Sequence, residues 1–161
     1  MKTIFFESID NTQNYALENY DSEPLLVLSY SQDSGRGREK KEWQNADQSL
    51  AVSLVFENNN EKLNNTLIPL IAGFCFLEVI ENEELKLKWP NDINLKENKI
   101  GGILVEEHKG VICVGLGVNY FWANPTIPNA GSLYDEKIDN TLINSDAEKW
   151  GRLVLDFIEN N

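Results

Sequence analysis

Leu85-Lys86-Leu87-Lys88-Trp89-Pro90-Asn91-Asp92 alternates apolar and charged side chains until a proline ends the pattern. A period of two is typical of a β-strand that packs one face against a core. More β-forming runs follow, with turn residues between them, at 92–95, 99–106 and 111–117. Because short turns join antiparallel strands, we predict hairpins throughout residues 85–117.

The rest of the chain mixes strands with helices. We predict strands at 3–7, 25–30 and 49–56, a loop at 32–48, a polar connection at 58–65, and irregular chain at 119–144. We predict helices at 11–20, capped by Asp10 or Asn11, at 66–80, and at 146–159, opened by a capping box at Ser145–Glu148. This order indicates one α+β domain with a mixed, largely antiparallel sheet.

Composition excludes several classes of function. The 161 residues carry a net charge of −12, which argues against a nucleic-acid partner because such binding needs a cationic surface. No apolar run is long enough to cross a membrane, and the N-terminus lacks a secretion signal, so we expect a cytoplasmic protein. Cys75, Cys113 and His108 make no metal-ligand pattern, and we expect two buried, reduced thiols.

The few cations of this acidic chain are concentrated in one loop. Gly35-Arg36-Gly37-Arg38 is followed closely by Lys40 and Lys41. Glycines allow the backbone to approach a ligand, and guanidinium groups pair with carboxylates and phosphates. The pattern favours an anion-binding loop, and an exposed turn with incidental charge remains the alternative.

The strand at 85–89 has two unlike faces. Leu85, Leu87 and Trp89 share one face, which we expect to enter the core. Lys86 and Lys88 share the other, which faces either a cleft or solvent. Without further information the residues favour two solvated lysines.

Glycines recur inside two neighbouring predicted strands, at positions 101, 102, 115 and 117. Glycine weakens a strand and usually marks a close approach by a ligand or another backbone. Four such glycines indicate a ligand lying flat across the sheet. The Gly-x-Gly at 115–117 precedes no helix, so it is not a dinucleotide fingerprint.

Together these segments resemble the biotin–protein ligase family. The shared motifs are Gly35-Arg36-Gly37-Arg38, Lys88-Trp89-Pro90-Asn91-Asp92, Gly101-Gly102-Ile103-Leu104-Val105-Glu106 and Gly115-Leu116-Gly117-Val118-Asn119. They occur in the family's order and approximate spacing over about residues 4–120. The resemblance implies the class II synthetase-like biotin/lipoate ligase fold, with helices mainly on one face of the sheet.

The resemblance also implies a reaction. ATP and biotin would be the substrates, with Mg²⁺, and biotinyl-5'-AMP the intermediate. A lysine of a biotin carboxyl carrier protein, a subunit of acetyl-CoA carboxylase, would accept the biotin. We expect residues 1–161 to form a single catalytic domain, without the helix-turn-helix or SH3-like domains of some relatives, and to act as a monomer or homodimer.

The family's functional residues map onto this chain. The catalytic residues would be Lys88, Arg38 and Arg36. Biotin would contact Asn11, Thr12, Gln13, Gln32, Gly35, Arg36, Gly37, Arg38, Lys88, Gly102 and Gly115. The nucleotide would contact Arg38, Trp43, Lys88 and Asn119. No resident metal ligand is expected, and the loop 33–47 is expected to become ordered over the adenylate.

Two other functions remain open. A lipoate or octanoyl ligase or transferase shares the fold, although the Lys88-Trp89 and Gly35–Arg38 motifs favour biotin. A non-catalytic biotin- or carrier-binding module is the second, and it would have no need of Lys88 or Arg38. Asn11 and Gln13 stand where the family usually has other residues, so the partners of the biotin ureido ring are less defined.

Overall fold

The computed structural model describes residues 1–58 and 64–160, with only the backbone for Lys40. Most of the predicted connection at 58–65 therefore lies outside the described residues. The strands are β1 (Lys2–Ile9), β2 (Leu25–Gln32), β3 (Gln48–Glu57), β4 (Leu85–Lys88), β5 (Asp92–Leu95), β6 (Asn98–His108) and β7 (Val111–Phe121). The helices are α1 (Thr12–Glu18), α2 (Ile68–Ile80) and α3 (Asn140–Asn160).

One seven-stranded sheet orders the strands β1-β2-β3-β7-β6-β5-β4. Only β1 and β2 pair in parallel, because α1 carries the chain back between them, and all other neighbours are antiparallel. The predicted mixed, largely antiparallel sheet is confirmed. The hairpins predicted over 85–117 are present. The last of these hairpins has its turn at Lys109 and Gly110, which both have positive φ.

The two faces of the sheet have different environments. Alternate residues of β3 and β7, such as Val52 and Leu116, enter the main core, where α2 and α3 cover them. Trp150 of α3 is fully buried and donates its indole N–H to the Ala72 carbonyl of α2 at 2.9 Å. Of the helices in the described residues, α1 alone lies on the opposite face, over a small cluster that includes Val27 and Cys113. Helices thus lie mainly on one face, and α1 leaves the centre of the other face open.

The start of the last helix was predicted wrongly. The helix begins at Asn140, where the Asp139 carboxylate accepts the Thr141 N–H at 2.8 Å. Asp146 is part of a helical turn, and its carboxylate accepts the Tyr120 hydroxyl at 2.9 Å. The capping-box pattern at 145–148 therefore lies inside α3 and contributes to packing. The irregular stretch is shorter than the predicted 119–144, because β7 runs on to Phe121 and α3 begins at Asn140.

Trp89 was also predicted wrongly, since it is 73% exposed. Strand β4 ends at Lys88, so the alternation that puts Leu85 in the core no longer applies at Trp89.

The two cysteines are free and buried as expected. Burial raises the pKa of the Cys75 thiol to about 11 and also raises the pKa of Cys113, so neither is an activated nucleophile.

Candidate active site

A cleft of about 430 Å³ lies on the open face of the sheet, between α1 and the loop that follows β2. This volume suits a small organic ligand. Its floor is made by small residues of the central strands: Ala51, Ser53, Gly102, Gly115 and Gly117. Four cations and three carboxylates line its walls, which makes the cleft slightly positive in a chain whose net charge is −12.

Strand register explains why the floor is flat. Gly117 of β7 pairs with Gly102 on one side and with Ala51 on the other. Residues directly opposite in an antiparallel pair point to the same face. Ala51, Gly117 and Gly102 therefore form a row of small residues across β3, β7 and β6. Ser53 and Gly115 form part of a second, parallel row on the same face. The close approach predicted from the glycines is consistent with this arrangement.

The N-terminus of α1 provides uncharged polar groups at one end of the cleft. Thr12 shares a hydrogen bond with the Ser53 hydroxyl at 2.8 Å, and its backbone N–H donates to Gln32 Oε1 at 2.7 Å. Asn11 caps α1 by accepting the Asn14 N–H and donates to a loop carbonyl. Thr12 and Gln32 are thus brought together as predicted, while the polar atoms of Asn11 are committed to structural bonds.

Glu106 joins two of the predicted site residues. Its carboxylate accepts Gln13 Nε2 at 2.7 Å and Arg36 Nη2 at 3.2 Å. Arg36 also donates to Asn14 at 2.9 Å, so this guanidinium is held against α1 and β6. The amide oxygen of Gln13 lies directly over Gly115. Glu106 was not singled out from the sequence, and its place at the end of the Gly101–Glu106 motif is the signal that could have found it.

The loop 33–47 folds back on itself. The Trp43 N–H donates to the Gly35 carbonyl at 2.9 Å, and the Gly37 N–H donates to the Lys41 carbonyl at 2.7 Å. Gly35 lies outside the cleft lining, because a methyl group there would come within 3.0 Å of the Trp43 carbonyl oxygen. In the structure, the close neighbours of this glycine belong to its own loop and to Gln32.

Trp43 and Arg38 bring the loop onto the sheet. A methyl group at Gly117 would meet the Trp43 indole at 2.9 Å, and one at Gly102 would meet it at 3.4 Å. Trp43 therefore covers the glycine row. Arg38 Nη1 lies 3.4 Å from Asn91 Oδ1, a long contact that links the arginine loop to the Pro90–Asp92 turn. The side chain of Lys40 lies outside what is described.

Lys88 lies at the end of β4 and pairs in register with Asp92. Asp92 in turn pairs with Gly102, so Lys88 extends the small-residue row and shares the face of the cleft. Its side chain is exposed and is not part of the lining. The strand lysine that does line the cleft is Lys99, whose Nζ lies 2.8 Å from Asp92 Oδ1. Lys99 was missed from the sequence.

Asn119 closes the far end of the cleft. It is 4% exposed, and its amide donates to the Gly131 carbonyl at 3.0 Å. Its side-chain oxygen is buried and has no hydrogen-bond partner among the described residues. A buried acceptor without a donor is costly, and here it borders a cavity, so it is ready to accept an N–H group from a ligand.

The loop provides a test that does not depend on catalysis. Arg38 and Lys41 are exposed trypsin sites in a loop with one large apolar anchor, Trp43. We predict that biotin and ATP together slow tryptic cleavage at these residues several-fold, because an occupied cleft gives the loop more to pack against. Mass spectrometry of the first fragments would measure this rate. Cleavage at Arg152, on the remote helix α3, is the control, and equal rates with and without ligands contradict the prediction.

The mixed seven-stranded sheet and the glycine-lined cleft beside a cationic loop agree with the family that the sequence motifs resemble. A model of the biotin/lipoate A/B protein ligase family matches residues 5–119, so the chain belongs to this family. The biotin–[acetyl-CoA-carboxylase] ligase of Paracoccus denitrificans is 32% identical over 66% of this chain and 47% of its own length. The chain spans less than half the length of the protein relatives it matches.

Solved structures agree with the fold. A biotin acetyl-coenzyme A carboxylase synthetase of Helicobacter pylori with bound biotinylated ATP has a TM-score of 0.76 and 30% identity, covering 96% of this chain and 78% of that one. A biotin protein ligase of Aquifex aeolicus in complex with biotin and ATP has a TM-score of 0.79 and 27% identity, covering 99% and 73%. The expected biotin/lipoate ligase fold is confirmed.

Proposed function

We propose that this chain is a biotin–protein ligase domain that forms biotinyl-5'-AMP from biotin and ATP and then transfers biotin to a lysine of a carrier protein. The observation that supports this most strongly is the arrangement along the cleft. Uncharged hydrogen-bonding groups lie at the α1 end, where Arg36 is paired with Glu106, and glycines form the floor. Arg38, Lys99 and the Asn119 amide oxygen, which has no partner among the described residues, lie toward the other end. The relatives named for biotin and ATP support the same assignment.

The end near α1 fits a neutral, flat head group. Thr12, Ser53 and Gln32 offer hydroxyl and amide groups there, and a ureido ring requires both donors and acceptors without net charge. Gly115 lets the Gln13 amide lie close against the sheet, beside the space proposed for such a ring. We assign biotin's ring to this end, and its carboxylate then extends along the glycine row toward the cations.

The opposite end fits a nucleotide. Asn119 provides a buried acceptor for an exocyclic amino group such as that of adenine. Trp43 lies over the glycine row as an aromatic surface that a base could stack against. Arg38, Trp43 and Asn119 are all among the cleft residues, so three of the four nucleotide contacts implied by family resemblance are compatible with one ligand.

The first step joins two anions. The biotin carboxylate oxygen attacks the α-phosphorus of ATP, the bond to the β-phosphate oxygen breaks, and pyrophosphate leaves. Fixed cations lower this barrier because they stabilise charge that accumulates in the transition state. We assign that task to Lys88 and Arg38, with Arg36 holding the loop against α1. In the second step an acceptor lysine amine attacks the mixed anhydride and releases AMP.

Mg²⁺ would accompany ATP. The described residues contain no cluster of three or more His, Cys, Asp or Glu side chains that could hold a metal ion. Magnesium is expected on the phosphates of the nucleotide. The residues act by binding and orienting the two substrates.

A biotin carboxyl carrier domain of acetyl-CoA carboxylase is the proposed acceptor. The exposed cations Arg38 and Lys41 lie at the mouth of the cleft. Because the rest of the chain is acidic, long-range attraction to an acidic carrier is weak, and these cations are the local attraction available to it.

Among the described residues, no helix is both long and apolar enough to span a membrane.

The decisive experiment measures pyrophosphate release by the purified chain with ATP and Mg²⁺ and, in separate reactions, biotin, lipoate or octanoate. Hydroxylamine would trap the acyl-adenylate as a hydroxamate that identifies the acid. We expect pyrophosphate release in the reaction with biotin and none in the reactions with lipoate or octanoate. Turnover with lipoate or octanoate instead would assign the other activity of this family, and biotin binding without turnover would identify a binding module.

A further inference from the structure

We propose that Glu106 is a positioning residue for the acid-binding end of the cleft. Its carboxylate fixes which way the Gln13 side-chain amide faces, so that the Gln13 oxygen accepts an N–H group of the bound acid. This inference rests on the proposed function and deepens it, because it states which chemical group of the acid this end selects. The starting observation is that Glu106 holds two residues of the cleft lining, Gln13 and Arg36, without lining the cleft itself.

The chemistry of a carboxylate decides the orientation of the Gln13 amide. Glu106 Oε2 accepts Gln13 Nε2 at 2.7 Å and Arg36 Nη2 at 3.2 Å. An ionised carboxylate offers acceptors only, whereas an amide has an NH₂ group at one end and an oxygen at the other. A turned amide would place its oxygen against the carboxylate with no proton between them. The end of the amide that faces Glu106 is therefore the NH₂ group.

The Gln13 oxygen consequently faces the floor of the cleft. It lies directly over Gly115 of β7, and Gln13 lines the cleft although it is only 6% exposed. Within residues 1–58 and 64–160, the side chain of Gln13 makes its one hydrogen bond through Nε2. The oxygen is left as an acceptor beside the space proposed for the acid's ring. A largely buried acceptor is stabilised when a ligand supplies the donor.

The Arg36 guanidinium does not compete for the head group of the acid. Its Nη2 donates to Asn14 Oδ1 at 2.9 Å and lies 3.2 Å from Glu106 Oε2. The charge of Arg36 is thus paired within the protein, on the side of α1. The same carboxylate therefore neutralises Arg36 and orients Gln13, and a neutral head group enters a neutral end of the cleft.

Candidate acids differ in whether their head group can donate a hydrogen bond. A ureido ring carries two N–H groups, while a dithiolane ring and an alkyl chain carry none. A site built to hydrogen-bond one group rejects analogues that lack it, because the polar atom of the protein is then left unpaired. The Gln13 oxygen, held in place by Glu106, therefore selects biotin over lipoate and octanoate.

The test is a double-mutant cycle of Glu106→Gln and Gln13→Met, with the Kd for biotin and for ATP measured by isothermal titration calorimetry. Glutamine at position 106 can donate as well as accept, so the Gln13 amide becomes free to turn. We expect Glu106→Gln to raise the Kd for biotin about tenfold, as for a lost hydrogen bond, and to change the Kd for ATP less than about twofold. In the Gln13→Met background, which has no amide to turn, the same substitution should change the Kd for biotin less than about twofold.

Glu107→Gln is the matched control. Glu107 is the next residue of β6 and is exposed, and its carboxylate accepts Asn65 Nδ2 at 2.9 Å. Successive residues of a strand point to opposite faces of the sheet, so this substitution removes a neighbouring charge without touching Gln13. We expect Glu107→Gln to bind biotin as wild type does.

Each result decides between interpretations. An unchanged biotin Kd in Glu106→Gln overturns the proposal. Equal losses of biotin affinity in the wild-type and Gln13→Met backgrounds also overturn it, because Glu106 would then support the cleft without acting through Gln13. If wild type binds no biotin, the proposed function itself fails, whereas independent effects in a biotin-binding wild type remove this inference alone. Circular dichroism establishes folding, and Glu106→Asn and Gln13→Leu are the substitutes for a variant that does not fold.

Discussion

Lys88→Ala is expected to reduce biotinyl-adenylate formation by about 100- to 1000-fold, because removal of one group that stabilises developing charge typically costs this much. Lys88 continues the row formed by Asp92, Gly102 and Gly117 on the cleft face. In the proposed reaction its ammonium would reach inward from the edge strand β4 to stabilise the charge that develops between the carboxylate and the phosphate. Biotin-dependent pyrophosphate release under saturating substrates would measure the loss.

Lys86→Ala is the matched control for this prediction. Lys86 lies on the same strand and the same face as Lys88. It pairs with Asn94 and is therefore two residues away from the row that contains Lys88, Asp92 and Gly102. Both lysines are exposed, so both substitutions have similar effects on folding and surface charge. We expect Lys86→Ala to retain near wild-type rates. Equal losses in the two variants, or none in either, would contradict the role assigned to Lys88.

Gly115→Val is expected to weaken biotin binding by about 100-fold, equivalent to about 2.7 kcal/mol, a typical cost of overpacking. A side chain at position 115 would collide with Gln13 Oε1. Gln13 would have to move and give up its 2.7 Å hydrogen bond to Glu106. The new methyl groups would also fill the floor beneath the acid's ring. Titration calorimetry with biotin alone would measure the change.

Thermal unfolding of Gly115→Val separates a blocked cleft from an unfolded sheet. Valine suits a central strand, so we expect the variant to fold. Val111→Ile enlarges a side chain on the same face of β7, away from the cleft and beside the cluster under α1, and should bind biotin normally. Normal biotin binding by a folded Gly115→Val would show that the acid lies elsewhere in the cleft.

The sheet was predictable from local pattern. The alternation in residues 85–88 and the turn residues at 109–110 have a direct physical meaning, because side chains alternate along a strand and tight turns need unusual φ values. Helix α1 was predictable because a residue suited to capping, Asp10 or Asn11, comes before it, and the structure shows that Asn11 is the cap. Helix α3 was not, since Ser145–Glu148 has the pattern of a cap while tertiary contacts of Asp146 and Tyr120 place it inside the helix.

The sequence identified the candidate site residues less completely than it identified the sheet. The resemblance indicated Thr12, Gln32 and Arg38, and the structure brings all three to one cleft. Glu106 and Lys99 were missed, because their importance lies in partners from other segments. Glu106 accepts hydrogen bonds from Gln13 and Arg36, which are distant in sequence.

The sequence alone determined the mixed sheet, the glycine-containing strands and the family to which the chain belongs, because these depend on local period and on motif order. Only the tertiary structure decided which lysine of the strands lines the cleft. Strict alternation places Lys99 and Gly102 on opposite faces, and the bulge between β5 and β6 puts them on the same one. A bulge depends on how two strands pair, and no single strand carries that information.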